Sequence, residues 1–534
     1  MMDVKEYRVL IADAISADGL APLRSDDRFQ LIERTGLKGE ELARAITGMH
    51  AVIVRSSTRI TRDALQHADE LRVIGRAGVG VDNIDVDAAT ERGVAVLNAP
   101  SGNTISAAEL TLALVLACVR RIPAADRSMK AGEWDRKSFT GSELYGKVLG
   151  LVGAGRIGGE VARRARAFGM RVCAYDPYLT PERAESLEVE LSSLDAVLSR
   201  SDVISLHVPL TDSTEGMIGA EELAMMKPGA VIVNAARGGV IDEAALAAAL
   251  QSGRIGGAGL DVFAEEPLPA DHPLRGVDNA VLTPHLGAAT EEAQHNVAVE
   301  IAEAVRAALA DDDLTRAVNA PAIGGEEMRR LRPLLELADR LGRIAAALAD
   351  GAAEHLVIRY SGPEDVVVRP IAAAAAMGAL RHVVGFGAIN MVNAVHIAES
   401  RGIEVERSRV GTHGPYEEFI EVRLRTGSGE SRVAGAVVAG RHPRVVRVDR
   451  YRIVVRPRGS LLILRNNDVP GVIGRVGTLL GTAGINIAEY HQARMQAGAD
   501  ALAAISVDGV ISDDVMSALA ALPDVLDVRQ VDLD

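Results

Sequence analysis

The sequence predicts an α/β chain with three or more domains, parallel sheets in its first half and α+β units in its second. Three observations carry that expectation. Short apolar runs alternate with helix-like segments through the first half. One of those runs ends on a glycine-rich turn. The last stretch reads strand, helix, strand, strand, helix, strand. At 534 residues the chain exceeds what one hydrophobic core ordinarily serves.

Apolar runs at 8–12, 51–54, 71–75 and 94–98 predict the first strands, and 104–121 predicts a helix. The run at 148–152 breaks at Gly153-Ala154-Gly155-Arg156-Ile157-Gly158, a G-x-G-x-x-G. A helix-like segment follows through Ala167, then a strand at 171–175 that ends on Asp176. Strand, glycine turn, helix, strand and acid, in that order, fit a dinucleotide-binding unit. A glycine turn lets the backbone approach a pyrophosphate at the helix N-terminus. A lone turn of this kind is also an ordinary structural turn; the flanking strands and the acid favour the nucleotide. A carboxylate at Asp176 accepts hydrogen bonds from free ribose hydroxyls and repels a 2′-phosphate. The next residues are Pro177 and Tyr178, with no cation close behind, so NAD is expected over NADP.

Further strands are expected at 203–207, 230–234, 257–262 and 280–283, and a helix at 290–309 that carries the chain back to the first unit. The expected architecture is a Rossmann nucleotide-binding domain (101–287) inserted in a flavodoxin-like α/β substrate domain (1–100 and 288–318). A cleft between them is where a ligand binds. Residues 319–457 read as helices followed by strands, at 417–425, 433–439 and 450–455, an α+β intervening domain. Arg456-Pro457-Arg458-Gly459 reads as a linker. Residues 459–534 give strands near 460–465, 485–494, 501–508 and 525–532 with helices near 472–482 and 512–521, a ferredoxin-like order.

Composition excludes several classes. A formal charge of −15 makes a general nucleic-acid or anionic-membrane binder a poor reading. Two cysteines, Cys118 and Cys173, each in an apolar segment, give no disulfide framework and fit a reducing cytoplasm. No secretory signal is read in the polar, strand-like start at 1–8. The apolar window 110–119 is too short to span a bilayer, and the Ala-rich run from Ile371 meets Arg381 and His382. No metal-ligand spacing stands out.

Three later segments carry side chains suited to chemistry. Asn234-Ala235-Ala236-Arg237-Gly238-Gly239 ends a strand with an arginine that can grip a carboxylate through parallel hydrogen bonds. Leu260-Asp261-Val262-Phe263-Ala264-Glu265-Glu266-Pro267 supplies acids, and Thr283-Pro284-His285-Leu286-Gly287-Ala288 a histidine. A histidine with a carboxylate is a proton-transfer unit, since the acid holds the charged imidazole. Spacing alone does not pair Glu266 with His285, and a turn arginine or a solvated acidic edge remains open for each.

Taken together, Gly-x-Gly-Arg-Ile-Gly, Ala-Arg-Gly-Gly, Asp-Val-Phe-x-x-Glu-Pro and Pro-His-Leu-Gly-Ala resemble the D-2-hydroxyacid dehydrogenase family. Residues 75–83 (GRAGVGVDN) and 102–109 (GNTISAAE) resemble its long-form phosphoglycerate dehydrogenase branch, with an intervening domain and a C-terminal ACT domain. The resemblance implies NAD-dependent oxidation of 3-phosphoglycerate to 3-phosphooxypyruvate, the first step of serine synthesis. It implies that Arg237 orients the substrate carboxylate and C2 oxygen, that His285 is the acid/base, and that Glu266 holds its imidazolium. It implies cofactor contacts at Gly153, Gly155, Arg156, Ile157, Gly158, Asp176, Pro209, Ala235, Asp261, Gly287 and Ala288. Substrate contacts are implied at Arg55, Gly78, Val79 and Asn103, with Arg136 reaching in from a neighbouring subunit or remaining an ordinary surface charge. A hydroxypyruvate or glyoxylate reductase, and a non-catalytic NAD-sensing binding protein, share much of this set.

The turn 465–471 and the segment Gly484-Ile485-Asn486-Ile487 resemble the serine-binding edge of ACT domains. The resemblance implies L-serine as effector, its ammonium at Asp468 and amide contacts from Asn466 and Asn486, and a homodimer or homotetramer. Turn chemistry alone also accounts for Asn and Asp there. Residues 441–458 carry eight basic side chains, among them Arg444, Arg447, Arg450 and Arg456, readable as an anion site or a solvated edge.

Overall fold

Five parallel strands open the fold: Tyr7–Ile11, Phe29–Glu33, Ala51–Val54, Val73–Arg76 and Ala95–Asn98, in spatial order 2-1-3-4-5. That is the flavodoxin order. The structure is a computed structural model and describes residues 7–385, 388–411, 416–496 and 499–534. Most of the 1–8 segment read as a non-secretory start lies outside the described residues. The helix Glu291–Asp311 buries Val297, Ile301 and Val305 on this first sheet. Thr290 caps it, accepting from the Ala293 N–H at 3.1 Å, and Glu291 and Glu292 suit the positive end of its dipole.

The second sheet has seven parallel strands. Numbered within the sheet from Val148–Val152, their order is 3-2-1-4-5-6-7, the Rossmann order. The helix Thr104–Val119 packs Leu112, Leu114 and Val115 against it, each worth roughly 1.5–3 kcal/mol of burial. Continuous apolar strands suit a sheet covered on both faces, and Val148–Val152 is buried throughout.

Register explains where the site forms. Val152 lies level with Tyr175 and with Leu206, so the glycine turn, Asp176 and His207 leave the sheet at one edge. Asn234 lies level with Leu260, and Leu260 with Leu282, which sends Arg237, Asp261 and His285 off the same edge. In the first sheet Val54 is level with Arg76, and Arg76 with Asn98. The carboxyl edges of the two sheets face a common cleft, the usual ligand position in open α/β sheets.

The expectation of helices followed by strands in 319–457 needs correction. The strand Ala353–Ser361 runs between the helices Gly325–Leu348 and Val368–Val384, and it is central to a six-stranded sheet. It pairs in parallel with Glu404–Arg409 and antiparallel with Phe419–Thr426. Its alternation is plain afterwards: Leu356, Ile358 and Tyr360 enter the core shared with the two helices. Helix-rich sequence on both sides and the polar pair Glu354-His355 at its start mask the signal.

The last four strands, Ser460–Asn467, Ile487–Arg494, Asp500–Val507 and Val525–Asp532, lie in the order 2-3-1-4, the ferredoxin-like arrangement expected. Among the described residues no helix is long and apolar enough to cross a membrane, and no group of His, Cys, Asp and Glu can hold a metal ion. Cys118 and Cys173 are free thiols.

Candidate active site

Between the two parallel sheets lies a cleft of about 860 Å³. Its walls include Arg237, Glu266 and His285 from the second sheet and Arg55, Arg76, Val79 and Asp82 from the first. His285 Nδ1 and Glu266 Oε2 are 2.7 Å apart, the pairing that spacing left open. The second carboxylate oxygen of Glu266 accepts the Phe263 N–H at 3.0 Å. Burial opposes ionisation of Glu266. The His285 hydrogen bond, the Phe263 N–H and the nearby charges outweigh burial, so the carboxyl sits below its ordinary value of 4.5.

His285 has φ +56°, a left-handed conformation uncommon for a side-chain-bearing residue. Asp261 holds that turn. Its backbone oxygen accepts the His285 N–H at 2.9 Å. Its fully buried carboxylate accepts from Thr283 Oγ1 (2.6 Å), the Leu286 N–H (2.7 Å) and the Gly287 N–H (2.8 Å). Asp261 therefore sets the position of His285, a role the cofactor contact implied by resemblance did not include.

Arg237 is fixed through its backbone. Asn234, 2 % exposed, donates from Nδ2 to the Arg237 oxygen (2.8 Å) and accepts the Ala236 N–H (3.0 Å). Arg55 leaves its strand beside Asp13, whose carboxylate accepts the Arg55 N–H at 2.6 Å and the Thr58 hydroxyl at 2.7 Å.

Arg76 ends an apolar strand just as Arg55 follows one, yet the resemblance implies no role for it. Burial, followed by the repulsion of Arg237, brings its pKa down to about 10. Its Nε is buried without a hydrogen-bond partner, and so is the Oδ1 of Asn103 on the same cleft. A desolvated, unpaired guanidinium is costly unless an anion joins it. His207, also missed, lines the cleft with Nε2 2.9 Å from Ser205 Oγ, and burial pushes its pKa down to about 4.

The glycine turn fits a dinucleotide. Gly153 has φ +93°, and a Cβ there would lie 2.7 Å from the His207 oxygen. Gly155 faces open space, and the helix Arg156–Ala167 begins with no side-chain cap, leaving its first N–H groups for a ligand. Asp176 Oδ2 accepts the Ala154 N–H and Oδ1 the Tyr178 N–H, each at 2.9 Å, with lone pairs remaining for hydroxyl donors. Ile157, Pro209, Ala235, Gly287 and Ala288 line the cleft beside them.

Two groups of expected residues stand elsewhere. Arg136 is exposed on the segment following the helix Ile122–Lys130 and does not line its own chain's cleft. Asn466 and Asn486 lie toward opposite ends of the last sheet: Asn466 is level with Ala501, whereas the Asn486 oxygen accepts from Asp508, beyond Val507, which pairs with Ser460. One copy of the chain does not bring them together. Asp468 pairs with Arg494 at 3.0 Å. Of the basic stretch, Arg450 pairs with Asp500 and Arg447 lies 3.6 Å from Glu421.

Comparison with known proteins adds to this geometry. Residues 112–287 match the NAD-binding domain of D-isomer specific 2-hydroxyacid dehydrogenases, and residues 330–449 the D-3-phosphoglycerate dehydrogenase intervening domain. A D-3-phosphoglycerate dehydrogenase of Methanocaldococcus jannaschii is 42 % identical over 98 % of this chain and 100 % of its own. One from Archaeoglobus fulgidus is 41 % identical, with the same coverage of each chain. The solved glyoxylate reductase of Paecilomyes thermophila, at 34 % identity and a TM-score of 0.54, covers 59 % of this chain and 98 % of that one. The reductase accounts for the catalytic half alone, whereas the first two relatives extend through the tail; the chain belongs to the D-3-phosphoglycerate dehydrogenase family.

Proposed function

We propose that the protein oxidises 3-phospho-D-glycerate to 3-phosphooxypyruvate with NAD, the first step of L-serine synthesis. The observation that carries this reading is the charge of the cleft. Arg237 beside the His285–Glu266 pair serves a 2-hydroxy acid, and Arg55 and Arg76 opposite supply cations an unphosphorylated substrate does not need. Arg237 aligns the C1 carboxylate and the C2 oxygen. With Nδ1 held by Glu266, Nε2 of His285 takes the C2 hydroxyl proton, and Glu266 stabilises the imidazolium that results. NAD, when bound, accepts the hydride that leaves C2. In reduction the protonated imidazole returns its proton to the C2 oxygen. Gly153, Gly155, Gly158 and the helix N-terminus from Arg156 would cradle the pyrophosphate, with Asp176 on the adenosine ribose.

The substrate domain is assigned to 1–100 with 288–318, the NAD domain to 101–287, the intervening domain to 319–457 and the ACT domain to 459–534. A homo-oligomer is supported by the helix Ile122–Lys130, which has no buried residue, and by Met129 and Trp134, 53 % and 79 % exposed. Arg136 on that surface would then reach a neighbour's phosphate site. L-Serine as effector requires Asn466 and Asp468 of one copy with Asn486 of another, since one chain separates them. The reading is tested by adding D-3-phosphoglycerate and NAD and following NADH absorbance. NADH should form with NAD, and NADPH far more slowly with NADP; no reduced nicotinamide from D-3-phosphoglycerate with either cofactor refutes it.

A further inference from the structure

Arg237 meets an acid from the opposite wall. Its Nε donates to Asp82 Oδ2 at 3.1 Å, while its Nη1 donates to the Ala236 oxygen at 2.6 Å. Away from the segments where the chain crosses between the two sheets' domains, this is the one side-chain hydrogen bond joining the cleft walls among the described residues. Both ends of the bridge are pinned. Asn234 fixes the Arg237 backbone, and Asn83, the neighbour of Asp82, donates from Nδ2 to the Arg55 oxygen (2.7 Å) and the Thr58 oxygen (2.6 Å). The approach also depends on Gly80, where any Cβ would overlap the Arg237 guanidinium. Asp82 further offsets the repulsion between Arg76 and Arg237, raising the Arg76 pKa that Arg237 lowers.

We propose that Asp82 is the positioning residue for Arg237, so that closing the cleft and aligning this guanidinium on the substrate are one event. The inference rests on the reading of Arg237 as the carboxylate grip. With Nε and Nη1 occupied, the guanidinium cannot rotate freely, and Nη2 is left for the substrate. An arginine side chain held at both ends loses little further rotamer freedom on binding. Asp82 does not touch the reacting atoms in this account and acts through Arg237.

The competing role is a placeholder, in which Asp82 occupies Arg237 until the substrate carboxylate displaces it. Asp82→Ala and Asp82→Asn separate the two when kcat, KM and NADH affinity are measured with both 3-phosphooxypyruvate and hydroxypyruvate. As a positioning residue, its loss in Asp82→Ala lowers kcat roughly tenfold to a hundredfold on both substrates, because both share the carboxylate that Arg237 grips. NADH affinity stays at the wild-type value, and Asp82→Asn, which keeps an acceptor oxygen, recovers part of the loss. An unchanged kcat with an unchanged or lowered KM overturns the proposal, as does an Asn variant as impaired as Ala. Wild-type protein that turns over only hydroxypyruvate defeats the substrate reading above and leaves this comparison intact.

Discussion

His285 and Glu266 stand 19 residues apart in the chain and meet at 2.7 Å on the rim of one sheet. The pair exists because two parallel strands end level and the Asp261 carboxylate holds the turn after the second. Replacing His285 with Ala should lower turnover by roughly 10²-fold or more while NADH still binds. Steady-state rates beside a fluorescence titration of NADH check both halves.

The depressed pKa of Glu266 makes a stability prediction. A carboxyl whose folded pKa lies below its ordinary value of 4.5 adds stability that is complete above that pH and is lost as pH falls through the folded value. Wild type should therefore lose Tm more steeply than Glu266→Gln on acidification below pH 4.5. Parallel curves for the two proteins would contradict the ion pair.

Cofactor choice should follow Asp176. Asp176→Asn keeps an acceptor for the Ala154 N–H and removes the charge, so the turn persists. NAD affinity should fall by about one to two decades, as for a lost charge-assisted hydrogen bond, and the gap to NADP should narrow. A wild-type enzyme already indifferent between NAD and NADP would contradict the ribose assignment.

Arg55→Ala and Arg76→Ala should each weaken kcat/KM for 3-phosphooxypyruvate by about 1.5–3 kcal/mol and leave hydroxypyruvate much less affected. Equal losses on both substrates would place these arginines in the fold or on the carboxylate.

Serine control is decided by titrating L-serine against wild type and Asp468→Ala. Inhibition requires serine to bind one state better than another. The Ala variant should need more serine for half-inhibition at the same uninhibited rate. Identical responses would remove Asp468 from the effector site.

Most strands of the parallel sheets were legible because they are apolar runs, and Gly153 to Asp176 declared its own order; Phe29–Glu33, interrupted by Gln30 and ending on Glu33, was not. The ferredoxin-like tail was legible for the same reason: each piece is short, regular and bounded by turns. Ala353–Ser361 was not, although it has nine residues: it opens on the polar pair Glu354-His355, and helix-rich sequence flanks it on both sides. Arg237, Glu266 and His285 were found by motif, yet their pairing came from register, which no spacing encodes. Arg76 and Asp82 had a readable position after an apolar strand but drew meaning only from Arg237, which lies 155 residues from Asp82 in the chain. That Asn466 and Asn486 reach opposite ends of one sheet was not legible, because sequence does not say which end of a sheet a residue reaches.

The most direct test of the central claim is NADH consumption with 3-phosphooxypyruvate beside hydroxypyruvate. A cleft that uses Arg55 and Arg76 for a phosphate should give a kcat/KM about two decades or more higher for the phosphorylated acid. Equal rates, or a preference for hydroxypyruvate, would contradict it.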